Sequence, residues 1–194
     1  MQAGAERLTA AMKSLESAFL IGVEGTTEIW LVRHGDCYEG MVDDPDPALS
    51  AAGLKQAERL AARVKRLEHA AVYASPARRA LETARAIDPH PRVDDRLMEM
   101  SFELSEDNQI VFTETPDDVV KRVGAVVEEI TQVHPGERVI VVCHAGVIVN
   151  YVTDVLHLEP GGLRLLPYYT SVSVVRALGD RRMVAALGDT AHLE

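Results

Sequence analysis

Hydrophobic residues along the chain form two kinds of pattern that alternate: uninterrupted apolar runs and apolar residues at helical spacing. Consecutive apolar residues, typical of strands buried on both faces of a parallel sheet, occupy 28–34, 70–74 and 138–143. Apolar residues at helical spacing predict helices over about 50–68 and 116–134. The segments that follow the second and third strands predict two more, over about 76–87 and 145–157. Because strands alternate with helices, we expect an α/β protein, a single-domain three-layer α/β/α sandwich with a mostly parallel central sheet.

Capping residues mark where several of these helices begin. Ser50 can cap the first one, and Pro76 can occupy the first turn of the next. Thr115 is followed by Pro116 and by two acids, a combination that favours a helix start because the helix amino end is positive.

Two segments outside this alternation have their own signatures. Residues 171–178 and 181–187 are separated by a Gly-Asp pair and predict a closing hairpin. Residues 88–115 begin with turn-forming prolines and contain many acids, and we expect them to form an irregular excursion.

The start of the chain is predicted to be a helical extension. Residues 3–20 carry apolar side chains at helical spacing, and glycines at 22 and 25 end the predicted helix. We therefore divide the chain into an extension, 1–25, and a main domain, 26–194. Because the helix is short and mixed in charge, we expect its apolar stripe to serve in packing or in a homodimer interface rather than as a membrane anchor.

Composition narrows the classes of function. The chain has 194 residues, of which 30 are acidic and 20 basic, so its net charge is −10. An acidic surface repels phosphate backbones and anionic lipid, so we expect neither nucleic-acid nor membrane binding. Two cysteines, no signal-peptide pattern and no apolar run long enough to span a bilayer favour a cytoplasmic location. A site for an anion in this protein must be locally positive.

Charged side chains follow three of the predicted strands. His34 follows the first strand directly, and His144 follows the strand at 138–143. The strand at 70–74 leads into a helix start that carries Arg78 and Arg79. Ligands of open α/β sheets gather at the carboxyl ends of strands, and helix amino ends favour anions. These residues therefore predict an anion site at one edge of the sheet.

Five motifs in this order resemble the histidine phosphatase superfamily, which includes the cofactor-dependent phosphoglycerate mutases. They are Leu31-Val-Arg-His-Gly35, Asp46-Pro-Ala-Leu-Ser50 with Gly53 and Gln56-Ala57, Ala74-Ser-Pro-Ala-Arg-Arg-Ala80 with Thr83-Ala84, Arg96-Leu-Met-Glu99, and Val141-Val-Cys-His-Ala-Gly146. The resemblance covers about residues 28–150 and implies a phosphoglycerate mutase-like fold.

The resemblance also implies a role for each matching residue. His34 would be the nucleophile that forms a phosphohistidine, and Arg33 and Arg79 would bind the phosphoryl oxygens. His144 would donate a further hydrogen bond to them, and Glu99 would be the general acid. Arginine forks match phosphate oxygens, and phosphoryl transfer depends mainly on positioning and charge stabilisation. We expect no metal, because no acidic cluster has clear metal-binding spacing. We also expect no organic cofactor, and no Gly-x-Gly-x-x-Gly turn of a dinucleotide site follows the first strand.

Two of these assignments have competitors nearby in the sequence. Arg78 adjoins Arg79, but Arg79 lies four residues after Ser75 as the motif requires. The acids that could replace Glu99 as proton donor are Glu103, Glu106 and Asp36.

Departures from the family pattern keep more than one function open. Asp36, Cys37 and Gly40 stand where the family commonly has Glu, Thr and Asn, and residues 100–106 lack the usual stretch after the acid. We expect a metal-independent phosphomonoester hydrolase that acts on a small phosphorylated metabolite. The alternatives are a phosphoglycerate mutase of the same fold and a non-catalytic scaffold that binds phosphate.

Overall fold

A computed structural model of the chain describes residues 2–38 and 44–194. The five α-helices of these ranges are α1 (Gln2–Ala18), α2 (Ala51–Val64), α3 (Arg78–Ile87), α4 (Pro116–Val133) and α5 (Ala145–Val155). The strands are β1 (Thr27–Arg33), β2 (Ala71–Ala74), β3 (Arg92–Val93), β4 (Phe102–Leu104), β5 (Ile110–Phe112), β6 (Arg138–Cys143), β7 (Val172–Leu178) and β8 (Arg181–Asp189). Short 3-10 helices follow β3 and β8.

The central sheet has six strands in the order β3-β2-β6-β1-β7-β8. The strands β3, β2, β6 and β1 run parallel, whereas β7 pairs antiparallel with both β1 and β8. The predicted mostly parallel sheet and its closing hairpin are therefore confirmed.

Alternate residues of the central strands point to opposite faces of the sheet, and each face has its own apolar core. Ile29 and Leu31 of β1 pack with the inner sides of α4 and α5. Trp30 and Val32 of the same strand pack with α2 and α3. This arrangement confirms the three-layer sandwich, and it explains why the strands read as continuous apolar runs.

Capping interactions begin α2 and α4 where the sequence predicts. The Ser50 hydroxyl accepts a hydrogen bond from the Gly53 backbone N–H at 3.0 Å. Thr115 and Asp118 form a reciprocal capping box at the start of α4. Helix α3 differs from the prediction, since it begins at Arg78 and Pro76 lies before its cap. The backbone N–H of Ala77 donates to Ser75 Oγ at 3.3 Å, so a turn intervenes between strand and helix.

Residues 88–115 are more regular than the sequence predicts. The edge strand β3 pairs with β2, and β4 and β5 form a separate two-stranded hairpin. All of these strands have only two or three residues, and every residue in them is exposed. Such strands carry no buried face, so hydrophobic periodicity could not reveal them.

Helix α1 confirms the predicted amphipathic helix, but its apolar stripe lies at the surface. The exposed members within the helix are Leu8, Met12 and Leu15, and Phe19, directly after the helix, is exposed as well. Its carboxyl end is held to the domain by Arg181, whose guanidinium donates to the carbonyls of Ser17 and Ala18. Within the described ranges, no helix combines the length and apolar character needed to cross a bilayer.

Gly53 is expected to be essential for packing the loop after β1 against α2. A Cβ at this position would lie 2.1 Å from the Asp36 carbonyl oxygen, a backbone atom that cannot give way. The Gly53→Ala change should therefore lower the free energy of unfolding by roughly 1–3 kcal/mol, measured by urea denaturation.

Gly124→Ala is the matched control, because Gly124 also lies in a helix but has open space around its Cβ position. It should stabilise the protein by about 0.5–1 kcal/mol. Equal effects of the two substitutions would contradict the packing argument.

Candidate active site

A crevice opens between the carboxyl ends of β1 and β6, the two central parallel strands. Arg33 lies opposite Cys143 in their register, so His34 and His144 leave the sheet at the same level. The chain then turns toward α2 on one face and toward α5 on the other. Binding sites of open α/β sheets form where adjacent strands diverge in this way. The two imidazole rings are 5.1 Å apart, centroid to centroid.

The His34 ring is fixed by its own backbone. Its Nδ1 lies 2.7 Å from the Gly35 carbonyl oxygen, which can only accept a hydrogen bond. Nδ1 therefore carries the proton, and Nε2 keeps a free lone pair. The Arg79 Nε–H points at that lone pair from 3.3 Å. The site thus presents an oriented, neutral imidazole nitrogen beside a guanidinium.

His144 is fully buried and also has a partner at each ring nitrogen. Its Nε2 lies 2.8 Å from Ser75 Oγ, and its Nδ1 lies 3.3 Å from Arg79 Nη2. It occupies the cap position of α5, yet its side chain makes no capping hydrogen bond. The ring therefore contacts Ser75 and Arg79 in the site and does not cap α5.

Burial and positive neighbours keep both histidines neutral. Desolvation, aided by the charges of Arg79 and Arg33, lowers the pKa of His34 to about 3 despite the opposing hydrogen bond to Gly35. Desolvation also lowers the pKa of His144 well below its ordinary value, with the His34 ring and Arg79 acting in the same direction. Both rings are consequently uncharged across the physiological pH range.

Arg33 is held in place by a stacking contact and a backbone acceptor. Its guanidinium carbon lies 4.0 Å above the Tyr169 ring, and its Nη1 donates to the Pro167 carbonyl at 2.8 Å. Its Nε is buried without a partner among the described residues. No described residue pairs with Nη2 either, so Arg33 keeps N–H donors that are free to meet an anion.

The two neighbouring arginines of α3 face different surroundings. Arg79 reaches both histidines, and its Nη1 lies 3.6 Å from the Asp46 carboxylate. Arg78 is directed to the surface, where it pairs with Glu82 at 3.0 Å and lies 3.9 Å from Asp44. Of these two arginines of α3, only Arg79 therefore contributes its charge to the histidine pair.

The loop after β1 is tied to two helices. The Gly35 backbone N–H donates to Thr83 Oγ1 at 2.9 Å, and that hydroxyl donates to the Arg79 carbonyl. The Asp36 carboxylate accepts from the Ser50 hydroxyl at 2.8 Å. Gly40, where a family asparagine is missing, lies outside the described residues.

Glu99 lies against the first turn of α5. Its two carboxylate oxygens accept hydrogen bonds from the backbone N–H groups of Met100, at 2.9 Å, and Gly146, at 3.3 Å. A Cβ on residue 146 would lie 2.6 Å from the carboxylate, so the glycine permits this contact. Glu99 and Arg79 line the same cleft. Of the competing acids, Glu103 and Glu106 are exposed outside that lining, and Asp36 is engaged by Ser50.

Three contributors to the site were not assigned a role by sequence reasoning. Ser75 and Thr83 lie in the same motif as Arg79, each four residues away from it, and this spacing could have indicated that they are near the site. Tyr169 gave no signal, because its contact with Arg33 joins segments far apart in the chain. In the part of the chain that the structure describes, no three His, Cys, Asp or Glu side chains are grouped so as to hold a metal ion.

The sequence matches the profile of the histidine phosphatase superfamily (branch 1) over residues 29–111 and 103–190. The chain belongs to this superfamily. The matched region begins two residues into β1, so α1 lies outside it. No curated protein sequence matches the chain.

Solved structures with the same fold include several phosphatases. Phosphoserine phosphatase from Entamoeba histolytica, in complex with 3-phosphoglyceric acid, is 19% identical with a TM-score of 0.73, covering 87% of this chain and 100% of that one. YhfR from Bacillus stearothermophilus is 26% identical with the same score and coverage. A mycobacterial glucosyl-3-phosphoglycerate phosphatase is 20% identical with a TM-score of 0.71, covering 84% and 99%. These likenesses establish a histidine phosphatase fold.

The neutral state of His34 should make this histidine phosphatase fold less stable in acid. The unfolded chain binds a proton on this ring below about pH 6.5, whereas the folded protein does so only near pH 3. Stability should therefore fall as the pH drops through this window. Between about pH 7.5 and 5, His34 alone should remove about 2 kcal/mol.

The test compares urea unfolding of wild type and His34→Asn in phosphate-free buffer at both pH values. The free energy of unfolding of the asparagine variant, relative to that of wild type, should rise by about 2 kcal/mol between pH 7.5 and pH 5. His90→Asn, at an exposed loop position, is the control and should show no such growth. A pH-independent difference for the His34 variant would contradict the proposed neutral state.

Proposed function

We propose that the protein is a metal-independent phosphomonoester hydrolase that works through a phosphohistidine on His34. The observation that carries the proposal is the state of His34: Nδ1 is tied to the Gly35 carbonyl, and the neutral Nε2 faces the Arg79 guanidinium. A histidine nucleophile needs a free lone pair at its attacking nitrogen, and this arrangement supplies one at neutral pH.

The proposed binding of the phosphoryl group uses the charges around Nε2. Arg79 and the unpaired Nη2 of Arg33 would hold its oxygens, because guanidinium groups fit phosphate oxygens in charge and geometry. The contacts that Arg79 makes with the two histidines are long, at 3.3 Å, and would yield to stronger ones with an anion.

The reaction would proceed in two balanced steps. His34 Nε2 attacks phosphorus, the bond from phosphorus to the ester oxygen breaks, and the leaving oxygen takes a proton from Glu99. The positive charge that forms on the imidazole is stabilised by the Nδ1–H bond to Gly35. Water then attacks the phosphohistidine and gives a proton back to Glu99, which releases phosphate and restores neutral His34.

His144 would donate a hydrogen bond to the phosphoryl group in this scheme. Its partner Ser75 can either accept from Nε2 or donate to it, because a hydroxyl does both. When Ser75 donates to Nε2, the ring proton moves to Nδ1, the nitrogen that faces Arg79 and the proposed phosphoryl position. Ser75 would therefore accommodate the tautomer that His144 needs once an anion replaces the contact between Arg79 and Nδ1.

Replacing His34 should remove the covalent intermediate. Wild-type protein is incubated with a radiolabelled phosphomonoester and quenched in base, and we expect acid-labile label on His34. The His34→Ala change should abolish labelling and lower kcat/KM by at least about 10³-fold. His90→Ala is the matched control at an exposed position and should retain both.

The other outcomes separate the alternative functions. Full activity in His34→Ala would contradict the proposal. Interconversion of phosphoglycerates that depends on a bisphosphate primer would identify a mutase. Tight binding of phosphate without turnover of any phosphomonoester in a broad panel would favour the scaffold.

Replacing Glu99 should affect esters according to their leaving group. Glu99→Gln should lower kcat/KM for an alkyl phosphate by about 10²- to 10⁴-fold, because an alkoxide needs a proton to depart. With 4-nitrophenyl phosphate, whose leaving group needs none, the variant should still form phosphohistidine and accumulate it. Glu103→Gln is the control on the exposed hairpin and should behave as wild type for both esters. Equal losses for the two esters in Glu99→Gln would assign the proton to another group.

A further inference from the structure

A cleft of about 520 Å³ lies next to Arg79. It shares Arg79 with the histidine pair and Glu99 with the proposed proton transfer. An ester oxygen placed between phosphorus and Glu99 would direct its alcohol group into this cleft. The chemistry of the cleft lining therefore bears on which alcohols the site accepts.

Most of the lining is apolar. Besides Arg79, Asp46, Glu99 and Ser101, its members are Pro45, Pro76, Ala77, Met98, Met100 and Phe102. Met98 and Phe102 are 42% and 47% exposed, although they stand at the mouth of a charged site. Covering such exposed apolar side chains with a ligand removes them from water and therefore contributes favourably to the free energy of binding.

The cleft offers no cation for a second anionic group. Arg79 is the one cation among the described lining residues, and the phosphoryl group would engage it. The adjacent Arg78 is turned to Glu82 and Asp44. Asp46 lines the cleft with a carboxylate, and Glu99 lines it as the proposed proton donor.

We propose that this cleft selects phosphomonoesters of uncharged, largely apolar alcohols and discriminates against alcohols that carry a carboxylate or a second phosphate. The proposal rests on the proposed function for its placement of the alcohol. A carboxylate in the cleft would lose water, lie near the Asp46 carboxylate and find no free cation, whereas an aliphatic or aromatic group would cover Met98 and Phe102.

Three esters of matched shape test this selection. They are benzyl phosphate, 4-carbamoylbenzyl phosphate, which is polar but neutral, and 4-carboxybenzyl phosphate. The carboxylate should lower kcat/KM on the order of 10- to 100-fold relative to the carbamoyl ester, because the two differ in charge and little in size. Equal values for these two esters, or a faster carboxylate, would overturn the proposal.

A charge introduced into the cleft should shift this ratio. Phe102→Arg should raise the ratio of carboxylate to carbamoyl kcat/KM by about tenfold, since it supplies the missing cation. Val111→Arg is the matched control, because Val111 is exposed on the other face of the same hairpin and does not line the cleft. An equal shift of this ratio in both variants would mean that the carboxylate responds to added positive charge at any position of the hairpin. That result would contradict the proposal that the alcohol group lies in the cleft.

Binding of unreactive analogues separates this inference from the catalytic one. Titration calorimetry should give 4-carbamoylbenzylphosphonate a Kd about tenfold below that of the carboxybenzyl analogue. If no ester is hydrolysed but this preference holds, the proposed hydrolase function fails and the cleft assignment stands. If esters are hydrolysed without any preference in rate or binding, the cleft assignment fails and the hydrolase function stands.

Discussion

The parallel pairing of β1 with β6 is the constraint on which the site depends. Its register places Arg33 beside Cys143, so the two residues that follow, His34 and His144, emerge side by side. A slip of one residue would turn the side chains of a strand to the opposite face, and the two separate apolar cores prevent such a slip. The packing that stabilises the sheet is therefore also what sets the distance between the two imidazoles. The helices α2 and α5 then leave on opposite faces, which opens the crevice between them.

Backbone and buried hydroxyl groups, rather than carboxylates, orient these histidines. The Gly35 carbonyl fixes His34, and Ser75 Oγ contacts His144. A carboxylate partner would favour a charged ring, whereas a neutral partner combined with burial keeps the lone pair on Nε2 available. Arg79 adds a second constraint, because a guanidinium beside both rings disfavours a further positive charge there. The proposed nucleophile thus stays neutral because of its surroundings, and the same surroundings attract an anion.

The sequence allows the sandwich, the central strands and the position of the histidine pair to be predicted, because each depends on a local pattern. Buried strands read as apolar runs, and Ser50 and Thr115 cap their helices through neighbours in the chain. The parts that the sequence does not predict depend on contacts between distant segments or on exposed backbone. The β4–β5 hairpin has no buried face, and Tyr169 reaches Arg33 across the fold. Asp46 approaches Arg79 because its carboxylate accepts from the Arg78 backbone N–H at the start of α3, a contact between segments 32 residues apart.

The net charge of −10 describes the outer surface and says little about the site. Exposed charges are screened within about 8 Å at physiological ionic strength, whereas charges held beside buried groups are screened much less. Arg33 and Arg79 are partly buried next to two uncharged rings, so their field acts on an anion at Nε2 more strongly than the more distant surface acids do. The local charge is less positive in the cleft, where Asp46 and Glu99 lie among apolar side chains. A phosphomonoester would therefore meet a positive pocket at phosphorus and an acidic, apolar surface at its alcohol. This gradient would orient such an ester, because only the phosphoryl end of the molecule carries the charge that the pocket attracts.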